Sequence, residues 1–222
     1  ITATPAGKVY GDNDPVSLPY TVTSGALIPG DKLTGQLARA AGEDVNHYAV
    51  NIGSLGGSNY TISFITADFT ITPKPVTVTA DEKHIVYGDA EPALTYSSAL
   101  PGNSFTGEPA WAKAKNAGTY PITQGTLSAG ANYALTFVPA SVVIGPKTVT
   151  VTADAKRKTY GGPDPEFTYT YTGLAGTDGF SGKPGRDNTA GMNSAGTYAI
   201  KIGDLSAGSN YAISFTGADL VI

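Results

Sequence analysis

The sequence contains no cysteine. Disulfides, thiol catalysis and cysteine-held zinc or iron–sulfur centres are therefore excluded. Charge is also scarce, with 14% of residues charged and a net charge of −4. No stripe gathers Lys or Arg, so no surface would track a phosphate backbone, and no nucleic-acid partner is expected. No apolar run reaches the ~20 residues of a membrane-spanning helix. No basic and then apolar leader opens the chain, which places any secretion signal outside it. Histidine occurs only as His47 and His84, at unmatched positions of the repeats described below, so a Ser–His–Asp arrangement has nothing to build on. A glycine loop leading into a helix, the cradle for a phosphate, is missing too. Together these absences argue against an enzyme.

What is present is a β composition. Apolar residues make up 41% of the 222, enough for a folded core. Thr, Val and Ile recur in short runs with 13 Tyr, and these side chains suit a pleated, half-buried surface. The 28 Gly and 15 Pro punctuate turns. Helical periodicity of useful length is absent; the Ala-rich stretch 36–41 is too brief.

Internal repetition decides the organisation. Lys8-Val9-Tyr10-Gly11-Asp12-Asn13-Asp14-Pro15 returns as Ile85-Val86-Tyr87-Gly88-Asp89-Ala90-Glu91-Pro92, and again as Lys158-Thr159-Tyr160-Gly161-Gly162-Pro163-Asp164-Pro165. The tyrosines are 77 and 73 residues apart. A second landmark, Asn59-Tyr60-Thr61-Ile62-Ser63-Phe64, returns at Asn132 and Asn210, 73 and 78 residues on. Two landmarks with one period define three modules, 1–73, 74–146 and 147–222. Their joints, Thr72-Pro73-Lys74-Pro75 and Gly145-Pro146-Lys147, are short and stiffened by proline, which suggests a rod whose partners are neighbouring repeats. Ile1-Thr2-Ala3 matches only the end of Val76-Thr77-Val78-Thr79-Ala80, as expected of a piece of a longer array.

The third copy shows the strand pattern best. Residues 148–152 alternate Thr and Val, 167–172 alternate again, and further strands are expected at 180–182, 198–202, 211–215 and 220–222, with a polar irregular stretch at 186–196. Six or seven short strands in about 75 residues indicate an all-β fold of three tandem small modules. The apparent hairpin at the end of each copy favours an immunoglobulin-like sandwich, and a β-grasp-like arrangement is the alternative.

The repeated residues carry competing readings. Tyr10, Tyr87 and Tyr160 precede a turn glycine; each either buries its ring and bonds its hydroxyl to the turn backbone, or offers a platform for a sugar. Tyr48, Tyr120 and Tyr198, then Tyr60, Tyr133 and Tyr211 with Phe64, Phe137 and Phe215 four residues on, read as core. Asn59, Asn132 and Asn210 read as turn residues that tolerate the left-handed conformation. Gly35, Gly107 and Gly182 read as sites of a bulge or close strand approach. Asp12 and Asp14, then Asp89 and Glu91, offer oxygens to calcium, but the third copy has Gly162 and Asp164, and calcium takes six or more oxygens. Asp31, Asn103 and Asp178 form a further polar column. Aspartate starting a turn explains the same residues, so calcium is the one candidate in a chain otherwise expected to hold no cofactor. Lys8 and Lys158 suit a Lys–Asn isopeptide crosslink, but Ile85 replaces them in the second copy. Trp111 is the single tryptophan and has no aromatic counterpart in the other copies.

The succession Tyr-Gly, Asp/Glu-Pro, Tyr and Asn-Tyr-x-Ile/Leu-x-Phe, repeated over essentially the whole chain, resembles the MBG domain of the Tyr-Gly-x type. The resemblance implies tandem arrays in large bacterial surface and secreted proteins, including filamentous-haemagglutinin-like adhesins. It carries over no catalytic or binding residues. The expectation is therefore an extracellular, cell-surface adhesin segment acting as a stalk or spacer. The alternative is a module that binds host glycans or glycoproteins weakly and gains avidity from repetition, with Trp111 and the turn tyrosines as contacts.

Overall fold

Alternation of threonine with valine makes the opening strand of the second and third repeats. In a strand successive side chains point to opposite faces, so Thr-Val-Thr-Val sends every valine inward. A computed structural model, which describes residues 1–186 and 193–222, shows this: Val76, Val78, Val149 and Val151 are buried, while the threonines between them face solvent. Burying each valine stabilises by about 1.5–3 kcal/mol. No α-helix occurs among the described residues; one 3₁₀ turn spans Gly102–Ser104. The part of the polar stretch at 187–192 lies outside the described residues.

The first repeat contributes β1 (Thr2–Ala3), β2 (Ala6–Val9), β3 (Tyr20–Thr21), β4 (Ala38–Arg39), β5 (Asn46–Asn51) and β6 (Asp68–Thr72). The second contributes β7 (Lys74–Ala80), β8 (Lys83–Val86), β9 (Tyr96–Ser98), β10 (Gly118–Ile122), β11 (Tyr133–Val138) and β12 (Ala140–Gly145). The third contributes β13 (Lys147–Ala153), β14 (Lys156–Arg157), β15 (Tyr169–Thr172), β16 (Thr197–Ile200), β17 (Tyr211–Thr216) and β18 (Ala218–Val221).

These strands form two compact units whose limits cut across the second repeat. The first unit takes residues 1–80, 96–109 and 124–138. It holds the sheets β1-β3, β2-β6-β5-β4 and β11-β7-β9, with a core of Ala3, Leu37, Val50, Leu55, Phe69 and Ile71 in the first repeat. The second unit takes residues 81–95, 110–123 and 139–222. It holds β10-β12-β8, β15-β13-β17 and β14-β18-β16. In the third repeat its cores are Val149, Val151, Leu205 and Tyr211, then Ala153, Ile200 and Leu220.

The pairing follows one plan. The opening strand pairs in parallel with the strand that begins at the Asn-Tyr landmark: β7 with β11, β13 with β17. The closing strand pairs in parallel with the strand before the Tyr-Gly turn: β2 with β6, β8 with β12, β14 with β18. The terminal hairpin expected from the sequence is not formed. β17 and β18 belong to different sheets, and so do β11 and β12. Only Pro139 or Gly217 separates the two members of each pair, too little for the two-residue loop of a tight hairpin. The chain instead bends and crosses from one sheet to the other. The expected strand at 180–182 reduces to a single bridge between Ser181 and Ser206.

The first repeat differs from the other two. Its opening strand has only Ile1, Thr2 and Ala3, and residues 60–64, strand in the other two copies, form no ladder. What pairing there is comes from those three residues: Ile1 donates to Ser63 O at 2.6 Å, and Thr2 bridges Ile65.

The glycine column behaves as its position predicts. Gly35, Gly107 and Gly182 have φ of 83°, 72° and 72°. A Cβ on each would lie 2.1, 2.2 and 2.1 Å from the carbonyl oxygens of Ser54, Thr126 and Asp204. Both the backbone and the space demand glycine. Gly182→Ala is expected to destabilise the chain by about 2–4 kcal/mol in thermal unfolding. Gly208→Ala, at φ 81° with no neighbour within 4 Å, should cost only about 1 kcal/mol.

Candidate functional site

The residues that repeat most regularly meet one another. In the first unit Tyr10 packs edge-to-face on Tyr133 with ring centroids 5.4 Å apart. In the second unit Tyr87 packs the same way on Tyr211 at 5.2 Å. The turn tyrosine of one repeat thus covers the Asn-Tyr landmark of the next. The asparagine beside it completes the joint. Val45 N–H donates to Asn132 Oδ1 at 2.8 Å, and Asn132 Nδ2 donates to Asp44 Oδ1 at 2.8 Å. One joint on, Ala117 N–H donates to Asn210 Oδ1 at 2.8 Å, and Asn210 Nδ2 donates to Asn116 Oδ1 at 3.1 Å. The loop that offers these groups is held from behind, because the Tyr48 and Tyr120 hydroxyls donate to the Asp44 and Asn116 carbonyls at 2.8 and 2.9 Å.

This geometry revises several sequence readings. The Tyr87 hydroxyl donates to Asp178 at 2.9 Å, not to its own turn backbone. Tyr211 donates to the same carboxylate at 2.6 Å, and the two hydroxyls hold Asp178 below its ordinary pKa. Tyr60 donates likewise to Asp31 at 2.6 Å, so the polar column of Asp31 and Asp178 anchors tyrosines; the Asn103 side chain lies outside the described residues. The asparagines do sit in turns, since Tyr133 N–H and Tyr211 N–H reach back to Gly130 O and Gly208 O, but those glycines, at φ 80° and 81°, carry the left-handed conformation. Tyr48, Tyr198, Phe64 and Phe215 pack against the cores while half-exposed. Tyr160 is 76% exposed.

The acidic turns resolve into ion clusters. Asp14 bonds Arg39 through both oxygens, at 2.7 and 3.0 Å, and lies 2.7 Å from Lys8 Nζ; Glu43 bonds both cations from the other side. Asp164 repeats this with Arg186, at 2.7 and 2.9 Å, and with Lys158 at 2.6 Å. The Lys8 and Arg186 side chains are only 5% and 3% exposed. Arg39 and Arg186 also lie over the rings of Tyr48 and Tyr198, at 5.4 and 5.6 Å. Hydrogen bonds from arginine first, then lysine, lower Asp14 and Asp164 from 3.8 to about 2. Lys8 and Lys158, which suited a crosslink, are thus the cations of these clusters. Asp12 N–H donates to Val9 O, an ordinary turn bond, and Asp89 Oδ2 accepts from Val86 N–H at 2.9 Å. Among the described residues no three His, Cys, Asp or Glu side chains gather as a metal site would need.

The second repeat departs from this pattern. Ile85 stands where the other copies have Lys8 and Lys158, and Trp111 where they have Arg39 and Arg186. Trp111 takes the arginine's seat on the tyrosine, with its ring 6.3 Å from Tyr120. Glu91, in the place of Asp14, pairs with exposed Lys113 at 3.0 Å. Lys113 has φ of 49°, the only non-glycine residue at positive φ among those described. A cleft of about 430 Å³ opens here, lined by Ile85, Tyr87, Asp89, Glu91, Trp111, Lys113, Lys115 and Ile144 of the second repeat and by residues 175–178 of the third. Of the residues singled out from the sequence, Tyr87, Asp89, Glu91 and Trp111 therefore come together; Tyr10, Asp12, Asp14 and Tyr160 do not. The arginine–aspartate–lysine column was missed, although the matched lysines at 8 and 158 and arginines at 39 and 186 carried its signal.

The family model of the MBG domain (YGX type) matches residues 1–70, 76–143 and 149–221, and the chain belongs to that family as three tandem domains. No curated protein and no solved structure shows significant similarity to it.

Two predictions test the site. Asn210→Ala leaves the half-buried Ala117 N–H without its acceptor and is expected to destabilise by about 1–2 kcal/mol in chemical unfolding. Asn59→Ala, at the same position of the first repeat, should change stability by less than about 0.5 kcal/mol. The lowered carboxyls act on the acid side. A group whose folded pKa is depressed stabilises the fold above its unfolded value, and that stability is lost as pH falls through the folded value. Asp164→Asn should therefore cost about 1–2 kcal/mol at neutral pH. It should also flatten the loss of stability between pH 3.8 and about 2, followed by circular dichroism.

Proposed function

We propose that this chain is a spacer segment of a bacterial surface adhesin, an array of MBG domains that presents a binding domain away from the cell. The observation that carries the reading is the joint. The side chains that recur from copy to copy, the turn tyrosine and the Asn-Tyr pair, are engaged with each other across consecutive repeats. A repeated ligand site would leave its repeated aromatics open. An array whose repeated residues join neighbours has the design of a semi-rigid connector, in which each repeat contacts only the next. The reading assigns the chain no catalysis and an extracellular location, where freedom from cysteine is no handicap.

Small-angle scattering tests it. A compact globule of this length has a radius of gyration of roughly 17 Å. The spacer reading expects a clearly larger value, unchanged between low and high concentration. A value near that of the globule would sink it. Weak binding of glycans by all three copies is the less favoured alternative, because Tyr10 and Tyr87 are already covered by aromatic partners.

A further inference from the structure

A cleft lies beside the same four positions in the first and the second repeat, about 380 Å³ where the ion cluster stands and about 430 Å³ where it is replaced. Lys8, Asp14, Arg39 and Glu43 bond one another in the first repeat. Counting from the turn tyrosine and from the tyrosine under the cluster, their equivalents are Ile85, Glu91, Trp111 and Lys115, and all four line the cleft. Both cations were exchanged for apolar side chains, and the carboxylate at 43 for a lysine. The exchange keeps the cleft open and puts Ile85 and Trp111 where paired ions stood, at about 430 Å³, within the size range of small-molecule sites. Its polar groups also point to a ligand. Glu91 and Lys113 form a pair at the exposed lip, and Lys113 is held at positive φ, a conformation that costs free energy and gathers at functional sites.

We infer that this cleft is a carbohydrate-binding site of the second repeat, with a neutral oligosaccharide of about two rings as its ligand. The Trp111 face supplies the flat apolar surface on which the C–H side of a pyranose stacks. Ile85 and Ile144 form the apolar floor. Glu91 accepts from sugar hydroxyls, and Lys113 and Lys115 donate to them. Asp89, Glu91 and Asp178 outnumber Lys113 and Lys115 on its walls, so the cleft disfavours an anionic ligand and suits an uncharged sugar. The site is single, so it is independent of the spacer reading and of the avidity that three equal sites would give.

The tryptophan makes the site observable, since it is the only one in the chain. Lactose, N-acetyllactosamine, chitobiose and cellobiose are titrated against the full chain, following tryptophan fluorescence and ligand-observed saturation-transfer NMR. At least one is expected to give a saturable change, with an affinity on the order of millimolar for one small site. The double variant I85K/W111R restores the residues of the other copies and is expected to keep the fold while weakening that binding at least tenfold by NMR. If this variant unfolds, W111A, which leaves Ile85 in place, is expected to show the same loss. A flat response to all four sugars overturns the proposal. Equal binding by the parent and the folded variant overturns it too, because the sugar then sits elsewhere. Neither outcome touches the scattering result, so the two readings fail separately.

Discussion

The parallel pairing of the opening strand with the Asn-Tyr strand is the constraint on which the rest of each repeat depends. The asparagine is where that ladder and the joint to the preceding repeat are fastened together. Its backbone carbonyl accepts the Lys74 or Lys147 N–H, at 3.0 and 2.9 Å, at the first step of the ladder. Its side chain accepts the Val45 or Ala117 N–H of the repeat before. The tyrosine that follows packs edge-to-face on the preceding turn tyrosine. Strand register and joint geometry are thus set by adjacent atoms, and neither moves without the other.

That dependence explains what was legible in the sequence. The three copies, their all-β class and the inward valines could be read because period and alternation are properties of one segment. The glycine column could be read for the same reason: a residue without a Cβ recurring at one place signals a close approach. Pairing partners could not be read. The run 211–222 has two apolar stretches with a turn-like Gly217 between them, and the economical reading is a hairpin. The chain crosses between sheets instead, because a single linking residue bends a strand but does not reverse it. Asn132 and Asn210 were legible as turn residues, but their second role needs a backbone N–H some ninety residues away in sequence. No local pattern announces that.

The ion clusters were hidden by attention to acidity alone. Two carboxylates in a turn suggest a divalent cation, and the cations that satisfy Asp14 are Lys8, six residues before it, and Arg39, on β4. Once the copies are aligned, lysine and arginine appear together in the first and third and vanish together in the second. That joint disappearance is physically informative. The carboxylate is retained as Glu91, but it is exposed and pairs with Lys113 at 3.0 Å, so losing both cations leaves no buried charge uncompensated.

Tandem architecture makes such an exchange possible. Each repeat is held by its own ladders and by the joints at its two ends, and the residues of both joints are intact around the second repeat: Tyr10 with Tyr133 on one side, Tyr87 with Tyr211 on the other. The cluster positions at 85, 91, 111 and 115 belong to neither Asn-Tyr contact. Change there leaves the ladders and the joints in place, so one copy is free to line its cleft with apolar side chains while its neighbours keep the ion cluster. The tyrosine beneath illustrates how little had to move. It holds a guanidinium in the first and third repeats and an indole in the second, with its hydroxyl still bonded to the carbonyl four residues earlier in all three. A scaffold that keeps its fastening residues separate from its variable ones can acquire a site in one repeat without remaking the array.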